Sequence, residues 1–167
     1  YSAVTCASAA AAASENEKSI PATSRSGVCF QRRSRQARSS PPPYFTSEPL
    51  AADHELSGHP CVTLHLSASE ADAALHVYLE DVAPDGTCRY VTEGMLRALH
   101  RKECKAPVHH QIVGPFHSYA RADAAPLVPG EVATLRLSLL PTSWRVAAGH
   151  RLRIEISGAD ADNFGQV

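Results

Sequence analysis

From residue 44 onward the chain contains short runs in which apolar and polar side chains alternate. The alternation covers residues 61–67 and 75–80, and it returns over residues 133–139 and 150–157, with a shorter run at 144–146. Because successive side chains of a strand point to opposite faces, a period of two predicts strands with one buried face. The sequence therefore predicts a protein built from short, half-buried strands.

Turn-forming residues separate these runs. Ala83-Pro84-Asp85-Gly86 combines a proline that presets φ with a glycine that accepts positive φ, and this predicts a hairpin turn. Residues Arg89–Arg97 are strand-like, with a bulge or bend predicted at Gly94. Helix formers between Glu93 and Lys105 leave a short helix open as an alternative there. Pro141 is predicted to end the strand that precedes it.

Residues 99–129 lack sustained periodicity and hold several prolines, so they are predicted to form a long surface connection with short ordered pieces.

About six short strands, frequent turn signals and no amphipathic helix longer than two turns favour an antiparallel β-sandwich over a parallel α/β sheet. The predicted fold class is therefore all-β.

The segment 1–43 differs from the rest of the chain. It is rich in Ala and Ser, has few large apolar side chains, and carries six basic and two acidic groups, against ten and fifteen in residues 44–167. Too little apolar surface is available to offset the entropy of ordering, so we predict a disordered, low-complexity basic tail. A transit peptide or a basic localisation or nucleic-acid patch is the functional alternative.

Length and composition limit the function classes. A chain of 167 residues fits one globular domain, and its net charge of −1 argues against a nucleic-acid or membrane-surface protein. No apolar run approaches the 18 or so residues that a spanning helix needs. Five cysteines without CxxC spacing are predicted to be reduced thiols, which favours a cytoplasmic protein, while organelle targeting by the tail stays open.

Serine chemistry has no motif in this chain. A nucleophile elbow needs Gly-x-Ser-x-Gly, and that pattern does not occur. The serines beside glycine, in Ser57-Gly58 and Ser157-Gly158, are interpreted as structural turns at strand ends. We therefore predict no catalytic residue within the sequence.

Nine histidines raise the hypothesis of a metal site, above all on the long connection. The candidates there are His109, His110 and His117 with Cys104 and Glu103. Adjacent histidines on an extended backbone point to opposite faces and do not converge on one ion, so neither a metal nor a cofactor site is predicted.

Four further residues have structural interpretations. His65 and His76 lie on polar strand faces, where they are expected to be solvated or paired across strands. His150 is expected to pack or bond near the start of its strand rather than to act as a base. Trp144, the single tryptophan, is either a sugar-stacking platform or, more commonly for such a residue, a packing residue.

Four stretches of residues 44–167, in this order, resemble the C-terminal domain shared by X-Pro dipeptidyl-peptidases, cocaine esterases and related acyl hydrolases. They are Ser47–Leu50 with Leu56–Gly58, Leu79–Gly86 with Thr92–Ala98, Leu127–Glu131, and Leu140–Ser143 with Ala148–Ser157. The resemblance implies a galactose-binding-like jelly roll, here incomplete at its C-terminus. It also implies that residues 44–167 are a partial non-catalytic domain.

In that family the nucleophile, acid and histidine belong to an α/β-hydrolase domain, which would be the partner of this chain. The resemblance therefore implies that the chain alone is inactive. The aromatic side chains expected at the domain interface are Tyr78, Tyr90, Phe116 and Tyr119, and an isolated chain exposing them is expected to self-associate. A stand-alone carbohydrate- or protein-binding β-sandwich is the alternative.

Overall fold

The computed structural model describes residues 43–107, 109 and 113–158, together with the backbone of two strands at 4–12 and 23–24. The predicted mostly-β class is confirmed. The strands of the described part are β1 (Val4–Ala12), β2 (Thr23–Ser24), β3 (Tyr44–Thr46), β4 (His54–Gly58), β5 (Cys61–Ala68), β6 (Ala74–Val82), β7 (Cys88–Arg97), β8 (Ala133–Ser138), β9 (Thr142–Val146) and β10 (Arg151–Ser157).

These strands form three antiparallel sheets. The first has the order β1-β5-β8, the second β2-β3-β10-β6-β7, and the third is the pair β4-β9. Neighbours in space are mostly distant in sequence, since β10 lies between β3 and β6. Segments from both ends of the described chain therefore meet in the second sheet.

The first two sheets share one apolar core, and the alternation read from the sequence accounts for it. In β5 every second residue is buried, and Leu64 is fully inaccessible to solvent. The same alternation holds in β6, where Leu75 and Val77 point inward, and in β8, where Leu135 does. Burying one such leucine contributes about 1.5–3 kcal/mol relative to leaving it exposed.

The hairpin predicted between β6 and β7 is present. Gly86 has φ +87° and donates its N–H to the Ala83 carbonyl, while the Asp85 carboxylate accepts the Thr87 N–H at 2.8 Å. Pro141 does not itself end β8, which stops three residues earlier at Ser138, but it immediately precedes β9, which begins at Thr142.

The bulge in β7 lies at Val91, not at Gly94 as predicted. The register passes from Leu79↔Thr92 to Glu80↔Tyr90, which leaves Val91 as the extra residue. Gly94 has a different role, since a Cβ built there would lie 2.9 Å from both Leu139 Cδ2 and the Ser138 carbonyl oxygen. The missing side chain therefore permits close approach of two backbones.

The alternative of a helix from Glu93 to Lys105 is wrong in extent. β7 continues to Arg97 and is followed by a single 3₁₀ turn at Ala98–His100. A second 3₁₀ turn, Arg121–Asp123, interrupts the rest of the long connection, as expected of short ordered pieces. None of the described helices is long and apolar enough to cross a membrane.

Two stretches of the segment predicted to be a disordered tail, β1 and β2, are described as strands, and most of the remainder lies outside the described residues. β1 pairs with β5 from Val4↔Ala68 to Ala12↔Cys61, and β2 pairs with β3. The free edge of a sheet offers unpaired N–H and C=O groups, and pairing with them requires no large apolar side chain. The basic cluster of this segment lies outside the described residues.

The prediction that all cysteines are reduced is wrong for Cys88, which is disulfide-bonded. Cys61 and Cys104 are free thiols. The partner of Cys88 lies outside the residues whose side chains the structure describes. Pairs between distant cysteines leave no spacing signal in the sequence, unlike CxxC motifs, which explains the miss.

We predict that Gly94→Ala destabilises the protein by about 1–3 kcal/mol, because the backbone oxygen of Ser138 cannot move aside independently. Urea denaturation measures the change. Gly158→Ala is the matched control, since the nearest atom to its Cβ would be 3.9 Å away. Equal midpoints for the two variants would contradict the proposed close approach.

Candidate functional site

A buried carboxylate, Asp81 on β6, organises the polar cluster of the molecule. Asp81 is 2% exposed, yet it lies inside a strand that otherwise buries apolar residues. Its Oδ2 accepts a hydrogen bond from Trp144 Nε1 at 3.1 Å, and its Oδ1 accepts one from His150 Nδ1 at 2.7 Å. Burying an ionised carboxylate is costly unless donors satisfy it, and these two side chains supply them.

The segment Ser47–Leu50 joins the same cluster through the backbone. Ser47 N donates to the Leu152 carbonyl and Leu50 N to the His150 carbonyl, both at 2.8 Å. The Ser47 hydroxyl in turn accepts the Leu152 N–H at 3.0 Å. The stretches containing Ser47, Asp81 and His150 are three of those that carry the family resemblance, and their spatial convergence explains why they occur together.

An exposed ion pair flanks the cluster. The Asp53 carboxylate accepts hydrogen bonds from the Arg145 guanidinium and, at 2.7 Å, from the Ala148 N–H. The Arg145 guanidinium holds the pKa of Asp53 below its usual value, and the Ala148 N–H adds to this effect. Asp53 thereby connects the loop before β4 to Arg145 on β9 and, through the Ala148 N–H, to the turn before β10.

The geometry of the cluster favours a structural role. An Asp-His pair can orient a general base, but catalysis also needs a serine hydroxyl against the far ring nitrogen. Ser47 Oγ bonds instead to backbone groups of Glu48 and Leu152. Ser57 is the last residue but one of β4 and Ser157 is the last of β10, so both lie at strand ends, as expected from the sequence. His150 bonds at the start of its strand, as predicted.

Trp144 lies half-buried against the apolar core, with its N–H directed at Asp81. An indole that is held in this way has its polar edge occupied and part of its face covered. The arrangement favours the packing interpretation over the sugar-stacking platform.

The histidines are separated in the structure. His65 pairs across strands, with Nδ1 3.0 Å from the Thr134 hydroxyl, as expected. His76 is half-buried and lies opposite Met95. Both ring nitrogens of His117 face backbone carbonyls, and in the described part of the chain no three potential metal ligands converge. His110 lies outside the described residues.

The outer face of the second sheet carries a glutamate in an unfavourable environment. Glu80 lies opposite Arg153 in the register, and one of its oxygens is buried without a hydrogen-bond partner among the described residues. Burial raises the pKa of Glu80, and the nearby Glu155 raises it further, while Arg153 acts in the opposite direction. This carboxylate therefore opposes folding when it is ionised.

Exposed apolar and aromatic side chains lie outside these clusters. Tyr90 is 46% exposed and Tyr119 is 61% exposed, whereas Tyr78 and Phe116 are half-buried. Tyr119 also has φ +55°, the left-handed backbone region that non-glycine residues rarely adopt.

Antiparallel sheets that share one core define a mostly-β domain. Comparison with known proteins identifies its family. The family described as the X-Pro dipeptidyl-peptidase C-terminal non-catalytic domain matches residues 8–166, so the chain belongs to that family. The match begins inside the segment predicted to be a tail, in the middle of β1.

Two relatives and one solved structure place the chain more closely. It is 45% identical over 137 residues to a protein of Mycobacterium bovis named as a serine esterase, covering 82% of this chain and 22% of that protein. It is 29% identical over 143 residues to a protein of Streptomyces avermitilis named as a Xaa-Pro dipeptidyl-peptidase, covering 71% and 21%. The chain spans about a fifth of the length of these relatives.

The solved structure is that of a CocE/NonD family hydrolase from Staphylococcus aureus. It superposes with a TM-score of 0.61 at 21% identity, covering 71% of this chain and 23% of that chain. At this identity the likeness concerns the fold alone. The chain therefore matches only a fraction of each hydrolase, namely its C-terminal non-catalytic domain.

We predict that Trp144→Phe destabilises the protein by about 1–3 kcal/mol, because the ring is kept while the buried Asp81 carboxylate loses a donor. Thermal and urea unfolding measure the loss. Arg145→Gln removes a donor from the exposed Asp53 instead, and it should cost much less. A Trp144→Phe effect no larger than that of Arg145→Gln would contradict the role given to the indole N–H.

We predict that Glu80→Gln stabilises the protein near neutral pH and that the gain disappears in acid. The folded state raises the pKa of Glu80, so it favours the protonated carboxyl, and stability falls as rising pH ionises the group. Glutamine imitates the protonated form. Urea midpoints at about pH 7 and about pH 3 measure the difference. Glu55→Gln, on the exposed part of β4, is the control, and a gain independent of pH would contradict the electrostatic cause.

Proposed function

We propose that this chain is the C-terminal β-domain of a serine hydrolase whose intact form cleaves esters. The observation that carries the proposal is the 45% identity, over 82% of the chain, to a protein named as a serine esterase, against 29% to one named as a Xaa-Pro dipeptidyl-peptidase. Ester hydrolysis is therefore preferred over cleavage of a prolyl peptide or another amide. The triad belongs to a catalytic domain outside these 167 residues in this proposal.

The proposed architecture is a galactose-binding-like jelly roll. Its support is the single core between the first two antiparallel sheets and the similarity in fold to the Staphylococcus aureus hydrolase. Residues 44–167 form the body of the domain in this proposal, and β1 adds an edge strand to it.

The proposed partner is an α/β-hydrolase catalytic domain in the same polypeptide. Full-length relatives are roughly five times as long as the matched region, which leaves room for such a domain. Exposed Tyr90 and Tyr119 support an interface, because tyrosine is enriched where protein surfaces meet. Self-association of the chain on its own stays a prediction, as does cytoplasmic residence. The disulfide at Cys88 is more typical of oxidising compartments and does not support cytoplasmic residence.

The test compares the 167-residue chain with the full product of its gene. The chain alone should hydrolyse no p-nitrophenyl ester, no amide and no X-Pro anilide above background, since it has no nucleophile elbow. The full product should cleave esters with higher kcat/KM than amides or X-Pro substrates, and replacing the serine of its Gly-x-Ser-x-Gly by Ala should abolish this.

Three results would contradict the proposal in different ways. Activity of the chain alone would overturn its non-catalytic role. Preference of the full product for X-Pro anilides would replace the esterase by a dipeptidyl-peptidase. A gene whose product contains only this domain would favour a binding module.

A further inference from the structure

His117 joins the long connection to the sheet. It is 6% exposed and lies between two backbone carbonyls that come from different parts of the chain. Its Nδ1 is 3.1 Å from the Lys102 carbonyl oxygen in the connection, and its Nε2 is 2.9 Å from the Arg136 carbonyl oxygen on β8. Both contacts have the length of ordinary hydrogen bonds.

A carbonyl oxygen only accepts hydrogen bonds, whereas a neutral imidazole has one N–H and one bare nitrogen. With a neutral ring, one of the two contacts would place a nitrogen lone pair against an oxygen lone pair in a buried site. An imidazolium has two N–H groups and satisfies both carbonyls. We propose that His117 is doubly protonated in the folded protein and acts as a charged, pH-sensitive clamp between the long connection and β8.

The charged and titratable groups around the ring are already paired. Glu103 and Arg136 form an ion pair at 3.3 Å, and Lys102 bonds to Asp123 across the connection. Tyr119 lies edge-on to His117 with ring centroids 6.2 Å apart, and it contacts His100 in the same way at 5.4 Å. Since these flanking acids and bases pair with each other, the two carbonyl dipoles are, within the part of the chain that the structure describes, the groups that select the protonation state of the ring.

The His117 clamp holds the long connection next to a residue with an unfavourable backbone conformation. Residue 119, two positions further on, has the left-handed φ of +55° and exposes its aromatic ring. Such a backbone persists only when its surroundings hold it. Further bonds that hold the connection near this point include those from Cys104 N to the Phe116 carbonyl and from Ser118 Oγ to Asp123. Rising pH removes one ring proton, and with it one bond of the clamp, so the connection is held best at low pH.

The direct test is an NMR titration of the full 167-residue chain labelled with nitrogen-15 in its histidine rings. We expect both ring nitrogens of His117 to show the shifts of protonated nitrogens at neutral pH while the chain is folded. A second arm measures exchange of the Cys104 amide, corrected for intrinsic rates. Loss of one charged hydrogen bond should speed this exchange roughly tenfold as His117 deprotonates.

Two variants distinguish the clamp from a merely structural histidine. His117→Gln cannot become charged, so it should lose the pH dependence of Cys104 exchange and show fast exchange throughout. His65→Gln is the matched control and should leave that dependence intact, because His65 faces the Thr134 hydroxyl, which either donates or accepts. If His117→Gln fails to fold, the titration of the unmodified chain decides alone. One protonated and one bare nitrogen on His117 at neutral pH would overturn the proposal.

Discussion

The shared core of two antiparallel sheets is the constraint on which the rest of this domain depends. Leu64 and Leu135 from the first sheet meet Leu75 and Val77 from the second, and each is 1% exposed or less. Asp81 is the buried ion at the margin of this packing, so it must receive hydrogen bonds wherever the chain can provide them. Trp144 and the turn before β10 are positioned by that requirement, and the third sheet is attached to the second through it.

In this arrangement the polar cluster around Asp81 has a structural role. The Asp-His pair holds the fold, and the nearby Ser47 hydroxyl bonds to backbone groups. The long connection carries the exposed Tyr119, two residues after the clamp at the buried His117. The family to which this chain belongs is described as the non-catalytic C-terminal domain of larger hydrolases, which agrees with a structural role for these groups.

Period-two alternation was sufficient to locate β5, β6, β8 and β10, since each buries one face against the same core. The hairpin at Ala83–Gly86 was equally visible, because its residues specify their own backbone angles. β1 was not visible, because a run of Ala and Ser has no alternation and its pairing depends on the distant edge of β5. The partners of Asp81 are 63 and 69 residues away in sequence, so no local pattern brings them together. A charged residue at an inward-facing position of β6, in phase with Leu75, Val77 and Leu79, together with a single tryptophan elsewhere, is the signal that could have suggested them.

The close crossing at Gly94 has a consequence for how such sequences are recognised. Position 94 needs a glycine because the Ser138 backbone lies too close for a side chain, and the histidine at position 150 bonds to the Asp81 carboxylate. Both positions belong to stretches that carry the family resemblance, and both are explained by packing within the domain. Finding these stretches in a genome therefore counts copies of the non-catalytic domain. The number of active hydrolases has to be counted from the catalytic sequences that accompany it.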